Sequence, residues 1–198
     1  LTIVDISNPS SPSIVGSIDD DTQLNGAKGL YVSGSYAYIG VEGSHRLTIV
    51  NVSNPSSPNV ISSIQDTTLL AYVTNVYVSG KYAYIAVNDG DRLTIVDISN
   101  PSSPTITGSI TDATQLDTAK SIHVSGKYAY VAATNADRLT IIDISNPYSP
   151  TIVSSLVDST TLDGINGVYV SGKYAYVAAG LNHSLTIVDI SDPSNPAI

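Results

Sequence analysis

The order of apolar and polar positions repeats along the whole chain. Leu1-Thr2-Ile3-Val4-Asp5-Ile6-Ser7 is a short, mostly apolar run rich in β-branched residues, closed by Asn8-Pro9-Ser10-Ser11-Pro12. A run of that kind bounded by Asn, Pro and Ser predicts a strand and then a turn. It returns as LTIVNVS from Leu47, LTIVDIS from Leu93, LTIIDIS from Leu139 and LTIVDIS from Leu185, a constant period of 46 residues without insertion or deletion. Such a period marks one supersecondary unit copied side by side.

Each unit reads as four antiparallel strands. The first two form a hairpin, Gly29-Leu30-Tyr31-Val32 and Ser35-Tyr36-Ala37-Tyr38-Ile39-Gly40-Val41, joined through Ser33-Gly34. A Ser-Gly pair between β-rich runs predicts a two-residue turn, with Gly taking positive φ. The LTIVDIS run is the third strand, and SIVGSI from Ser13, NVISSI from Asn59, TITGSI from Thr105 and TIVSSL from Thr151 give the fourth. The inner strands are continuously apolar rather than alternating, as a sheet buried on both faces requires. A four-stranded sheet covered on both sides by its own copies is a propeller blade.

The expected fold is therefore all-β, a β-propeller of four-stranded antiparallel blades, forming an arc or fragment of a larger ring or polymer. The blades fall at 29–66, 75–112, 121–158 and 167–198, the last lacking most of its outer strand. Residues 1–20 supply the two outer strands of a preceding blade. Leu1–Ser7 and Leu185–Ser191 cannot both be the third strand of one shared blade. The spare strands are thus expected to stay open or to pair with another copy, since a bare strand edge templates further pairing.

Composition narrows the function. The apolar residues are Val, Ile, Leu, Ala and 13 Tyr, with no Phe, Trp, Met or Cys. The net charge is −9, and the eight Lys and Arg are scattered, so nucleic acid is not an expected partner. No apolar run approaches the ~20 residues of a membrane-spanning helix. Without Cys there is no disulfide framework, which is compatible with secretion. The chain starts inside a repeat at Leu1 with no initiator Met, and reads as a mature or excised portion of something longer.

The LTIVDISNPSSP segment, followed in order by VSGKYAYVA, resembles the LVIVD-repeat family of β-propellers, and the likeness covers essentially the whole chain. It implies a propeller fold and a secreted or surface-attached location. The chain departs from the family in its longer polar link, around 19–28 and its copies.

The candidate chemistry lies in loops expected on one face of the propeller. Every long link carries D-x-T-x-L: Asp20-Thr22-Leu24, Asp66-Thr68-Leu70, Asp112-Thr114-Leu116 and Asp158-Thr160-Leu162. These read as Asx caps with a Leu plug. Asp19, Asp20 and Asp21 are the candidate cation ligands, with calcium the candidate ion and no other cofactor expected. Asp5, Asp97, Asp143 and Asp189 end the LTIVD strand, with Asn51 as the exception, and read as turn caps. Positions where the copies differ are the candidate ligand-facing residues: His123, where other copies have Tyr31, Tyr77 and Tyr169, and the loop position His45, Asp91, Asp137 and His183. Arg46, Arg92 and Arg138 follow that position and are expected to form surface Asp–Arg pairs.

No nucleophile elbow, HExxH, phosphate loop or EF-hand pattern occurs. Repeats this alike offer no asymmetric catalytic site, so the expectation is of no enzyme. The expected function is a non-enzymatic extracellular structural or adhesive scaffold. It self-assembles into a surface layer or filament, with itself or other surface proteins and glycans as partners. The alternative is a ligand- or glycan-binding receptor propeller using the loop face, with calcium.

Overall fold

The computed structural model describes all residues, Leu1–Ile198. Its seventeen strands form five sheets. A two-stranded piece, β1 (Thr2–Asp5) and β2 (Ser13–Ser17), comes first. Three complete four-stranded sheets follow. They are β3 (Ala27–Ser33), β4 (Tyr36–Val41), β5 (Arg46–Asn51) and β6 (Asn59–Gln65); β7 (Val73–Ser79), β8 (Tyr82–Val87), β9 (Arg92–Asp97) and β10 (Thr105–Thr111); and β11 (Ala119–Ser125), β12 (Tyr128–Ala133), β13 (Arg138–Asp143) and β14 (Thr151–Val157). The last sheet holds β15 (Ile165–Ser171), β16 (Tyr174–Ala179) and β17 (Ser184–Asp189), with one bridge from Asp189 to Ala197 beyond it. All pairings are antiparallel and between sequence neighbours, so each sheet is a meander.

The inner strands begin two residues earlier than the apolar pattern suggests, at Ala27, Val73, Ala119 and Ile165. Each carries a bulge just after its start. Bulges leave a residue unpaired and twist the strand, which blurs the pattern at that point. The hairpin turn is also shifted by one. Ser33 pairs with Tyr36, so the two turn residues are Gly34-Ser35, and likewise Gly80-Lys81, Gly126-Lys127 and Gly172-Lys173. The Gly in these turns has φ between 57° and 59°, as a Gly-first two-residue turn requires.

The core lies between sheets. Tyr38, Leu47 and Ile49 of the first complete blade pack with Leu70, Val73, Val76, Val78, Ala83 and Ile85 of the second. Equivalent clusters join the second blade to the third and the third to the fourth. Removing a Leu or Ile of this kind from water is worth roughly 1.5–3 kcal/mol. A single blade cannot collect that gain, because it has no second layer of its own. The inner strands neighbour one another in the order β3, β7, β11, β15. Blades approach closely there: a Cβ on Gly29 would sit 2.7 Å from Asn75 Cα.

The array does not close on itself. The outward face of the last blade leaves Leu185 and Ile187 exposed, and the front of the first complete blade leaves Leu30 and Val32 exposed. The two-stranded β1–β2 piece covers only the outer part of that front, where Leu1 and Ile18 pack near Leu24, Ile39 and Val41. No helix of the protein is long and apolar enough to cross a membrane.

Candidate functional site

The polar links fold as the sequence pattern suggests. Asp20 Oδ1 accepts the N–H groups of Thr22 (2.9 Å) and Gln23 (2.7 Å), and Leu24 N–H donates to the Asp20 carbonyl (2.9 Å). Asp66, Asp112 and Asp158 repeat the arrangement, and Leu70, Leu116 and Leu162 are fully buried beneath it. Two N–H donors on one carboxylate favour its charged form. Bonds from Gln23 and Thr22 hold Asp20 below the usual carboxylate value, and Leu69 and Thr68 do the same for Asp66. Asp5, Asp97, Asp143 and Asp189 accept the N–H two residues on, at 2.8 Å each, and Asn51 does so with its amide oxygen.

The candidate cation ligands Asp19, Asp20 and Asp21 lie in the first of these links. Asp20 is committed to its own turn, and no group of three His, Cys, Asp or Glu side chains that could hold a metal ion forms anywhere. The expected Asp–Arg pairs do not form either. Arg46 donates to Ser63 Oγ (3.1 Å), Arg92 to Thr111 Oγ1 (2.8 Å) and Arg138 to Ser155 Oγ (2.7 Å), each tying the third strand to the fourth. The ion pairs are Lys28–Glu42, Lys81–Asp97 and Lys127–Asp143, with at least one exposed partner in each.

His45, Asp91 and Asp137 use their acceptor atoms between blades. His45 Nδ1 accepts Tyr72 N–H (3.3 Å), Asp91 Oδ1 accepts Thr118 N–H (3.0 Å) and Asp137 Oδ1 accepts Gly164 N–H (2.9 Å). Each latch carries the rim hairpin of one blade to the link entering the next. His183, at the fourth copy, makes no such bond, and neither does Gly26 N–H, the first copy of the receiving position. The four rim residues sit on separate blades and do not meet.

His123 is placed differently. It stands on β11 in a row with Tyr31 on β3, Tyr77 on β7 and Tyr169 on β15, along a concave groove of about 500 Å³ formed by the inner strands. Ring centroids are 4.8 Å apart for Tyr31–Tyr77, 4.7 Å for Tyr77–His123 and 4.8 Å for His123–Tyr169, with the planes tilted by 52°, 50° and 74°. Tyr77 Oη lies 3.5 Å from His123 Nε2. Burial pushes the His123 imidazolium toward the neutral ring and raises the Tyr77 phenol above its ordinary value.

Two residues earlier on each strand, Asn75 Oδ1 accepts Ile122 N–H (3.3 Å) and Ser121 Oγ accepts Val168 N–H (3.3 Å). Sequence reasoning passed over Asn75 and Ser121. Their signal was present, because the copies read Gly29, Asn75, Ser121 and Gly167 while the hairpin after them is nearly invariant.

A meander of four strands, repeated with its core between neighbours and its inner strands around a shared groove, defines a β-propeller array. The LVIVD repeat family model matches residues 1–20, 26–66, 71–112, 118–158 and 165–198, and the chain belongs to that family. No curated protein is significantly similar to it in sequence.

Among solved structures it is similar to the periplasmic gluconolactonase PpgL of Pseudomonas aeruginosa, with TM-score 0.80 and 10% identity over 100% of this chain and 61% of that one. It is similar also to a proposed 6-phosphogluconolactonase from Bacteroides uniformis, with TM-score 0.73 and 16% identity over 92% of this chain and 57% of that one. A third is the hydrazine synthase of Kuenenia stuttgartiensis, with TM-score 0.70 and 20% identity over 91% and 51%. The chain spans between half and two thirds of the length of these proteins.

These likenesses overturn the expectation of no enzyme. Uniform blades do not argue against catalysis when the same fold is that of a gluconolactonase. At such identities they show the fold alone.

Proposed function

We propose that the chain is a self-associating extracellular scaffold, in which blades of one copy continue the array of the next. The supporting observation is the mismatch between interior and terminal copies of one position. Leu47, Leu93 and Leu139 are 0% exposed, whereas Leu185 is 68% exposed; Val76 and Ile122 are 2% and 3% exposed, whereas Leu30 is 50% exposed. The open tail face thus carries the side chains that, one blade earlier, fill a junction, and the head face leaves Leu30 and Val32 uncovered, while Leu1 of β1 holds the Leu47-type place beside Leu24 and would yield it to Leu185 of the joining copy. The unused His183 acceptor and Gly26 N–H repeat the same complementarity in polar form. A contact between unlike faces is heterologous and builds rings or filaments. The extracellular placement draws on the family resemblance. Other surface proteins or glycans would have to match the same apolar faces.

Sedimentation velocity over a concentration series tests the reading. The expected result is assembly that grows with concentration and is lost in Leu185→Asp. A single species of monomer mass at every concentration would overturn it.

A further inference from the structure

We infer that the inner-strand groove is a binding site for a neutral polyhydroxylated ligand, a sugar unit, seated against Tyr31, Tyr77, His123 and Tyr169 with Asn75 and Ser121 as its orienting groups. This goes beyond the scaffold reading and does not depend on it.

The first support is shape and lining. A groove of about 500 Å³ falls in the size range of small-molecule sites. Its wall is aromatic and aliphatic, with a few convergent polar atoms and no Asp, Glu, Lys or Arg. An anion would find no cationic partner there, and the chain's net charge of −9 works against its approach. An organic cation would need open ring faces. Here the interior rings are overlapped by neighbours at 4.7–4.8 Å, so it is chiefly their edges and hydroxyls that reach the groove.

The second support is the pattern of hydrogen-bonding capacity. Asn75 Oδ1 and Ser121 Oγ accept backbone N–H groups of the next blade, which fixes both side chains in place. That leaves the Asn75 amide N–H groups and the Ser121 O–H as donors, and no bond within the protein uses them. The tyrosine hydroxyls both donate and accept; Tyr77 shares hydrogen bonds with His123 and Tyr31, and the Tyr169 hydroxyl keeps its capacity for a ligand. Donors and acceptors alternating on rigid strands suit the hydroxyls of a sugar, whose C–H surfaces suit Leu30 and the aromatic edges.

The third support is asymmetry. The repeats are nearly identical through VSGKYAY and LTIVD. On the inner strands they diverge at Gly29, Asn75, Ser121 and Gly167 and at the single Tyr-to-His change, His123. Four equal blades give a symmetric groove, and these differences give it a direction.

Only three His occur in the chain, so the His123 Cε1–H resonance is a resolvable probe inside the groove. The full chain is titrated with maltose, glucose 6-phosphate and choline chloride. The expected result is a saturable shift of the His123 signal with maltose, at least fivefold weaker with the other two, and no movement of His45 or His183. Asn75→Gly, which installs the residue of the first and fourth copies, is expected to weaken maltose at least tenfold. Tyr77→Phe, which keeps the packing, is expected to weaken it severalfold. No shift with maltose up to its solubility, tighter binding of either charged compound, or full affinity in both variants would overturn the inference.

Discussion

The Oδ1 atom of Asp137 accepts the backbone N–H of Gly164 at 2.9 Å, and both residues stand in the left-handed region, with φ of 47° and 65°. Asp91 with Thr118 (46° and 58°) and His45 with Tyr72 (51° and 53°) repeat the pair at the other junctions. Two tight turns therefore meet nose to nose, one from each blade. The bond supplements the apolar junction with a directional contact that sets the rim. Asp137→Ala is expected to destabilise the chain by about 1–2 kcal/mol, the cost of removing a charged acceptor from a partly buried N–H. Asp137→Asn, which keeps an amide oxygen, is expected to lose less than half of that. Urea unfolding midpoints measure both.

Thr118 is β-branched and sits at positive φ, where the first and fourth copies have Gly26 and Gly164. A side chain there meets its own carbonyl, and a branched one meets it worst. Thr118→Gly keeps the N–H that Asp91 binds and removes the clash. The expected outcome is a gain of about 0.5–1 kcal/mol, read as a higher melting temperature. A loss of stability would show that the Thr118 side chain holds the rim in some further way.

The Asx caps make stability depend on acid. Asp66 is held below its ordinary value of 3.8 by the N–H groups of Leu69 and Thr68, and Asp112 by those of Gln115 and Thr114. A carboxylate depressed in the folded state contributes fully above its unfolded value and loses that contribution as pH falls through the folded one. The melting temperature is therefore expected to hold between pH 5 and 7 and to drop below about pH 4. In Asp66→Asn the drop is expected to be shallower, because an amide oxygen caps without titrating.

Beneath each cap a Leu closes the blade top. Leu116 is fully buried and packs among Leu93, Ile95, Ala119 and Ile122. Leu116→Ala is expected to cost about 2–5 kcal/mol, the range for truncating a buried Leu. In an array stabilised by neighbour contacts, the loss concentrates at the adjoining blades. Hydrogen exchange is expected to quicken first in β8, β9 and β11, with the first and last sheets less affected.

The blades were legible because their signals are local and repeated. A strand, an Asn-Pro turn and a Gly-first hairpin recur on a fixed period, and the D-x-T-x-L caps bond two and three residues away. The one-residue shift of the hairpin turn and the earlier inner-strand starts were not legible, since a bulge changes register without changing composition. The rim latches join residues 27 apart on different blades, and nothing in the run His45-Arg46 or Asp91-Arg92 separates a latch from an ion pair. His123 stood out as an exception among tyrosines, and Asn75 and Ser121 needed the groove to give their variation a meaning.

The central claim, that each open end of the arc carries half of an interior junction, is tested most directly by mixing two variants. Leu30→Asp spoils only the head face, and Leu185→Asp spoils only the tail face. The account predicts that neither variant assembles alone, and that an equimolar mixture forms a species of twice the monomer mass and stops there. Monomers in the mixture, or full assembly by either variant alone, would contradict it.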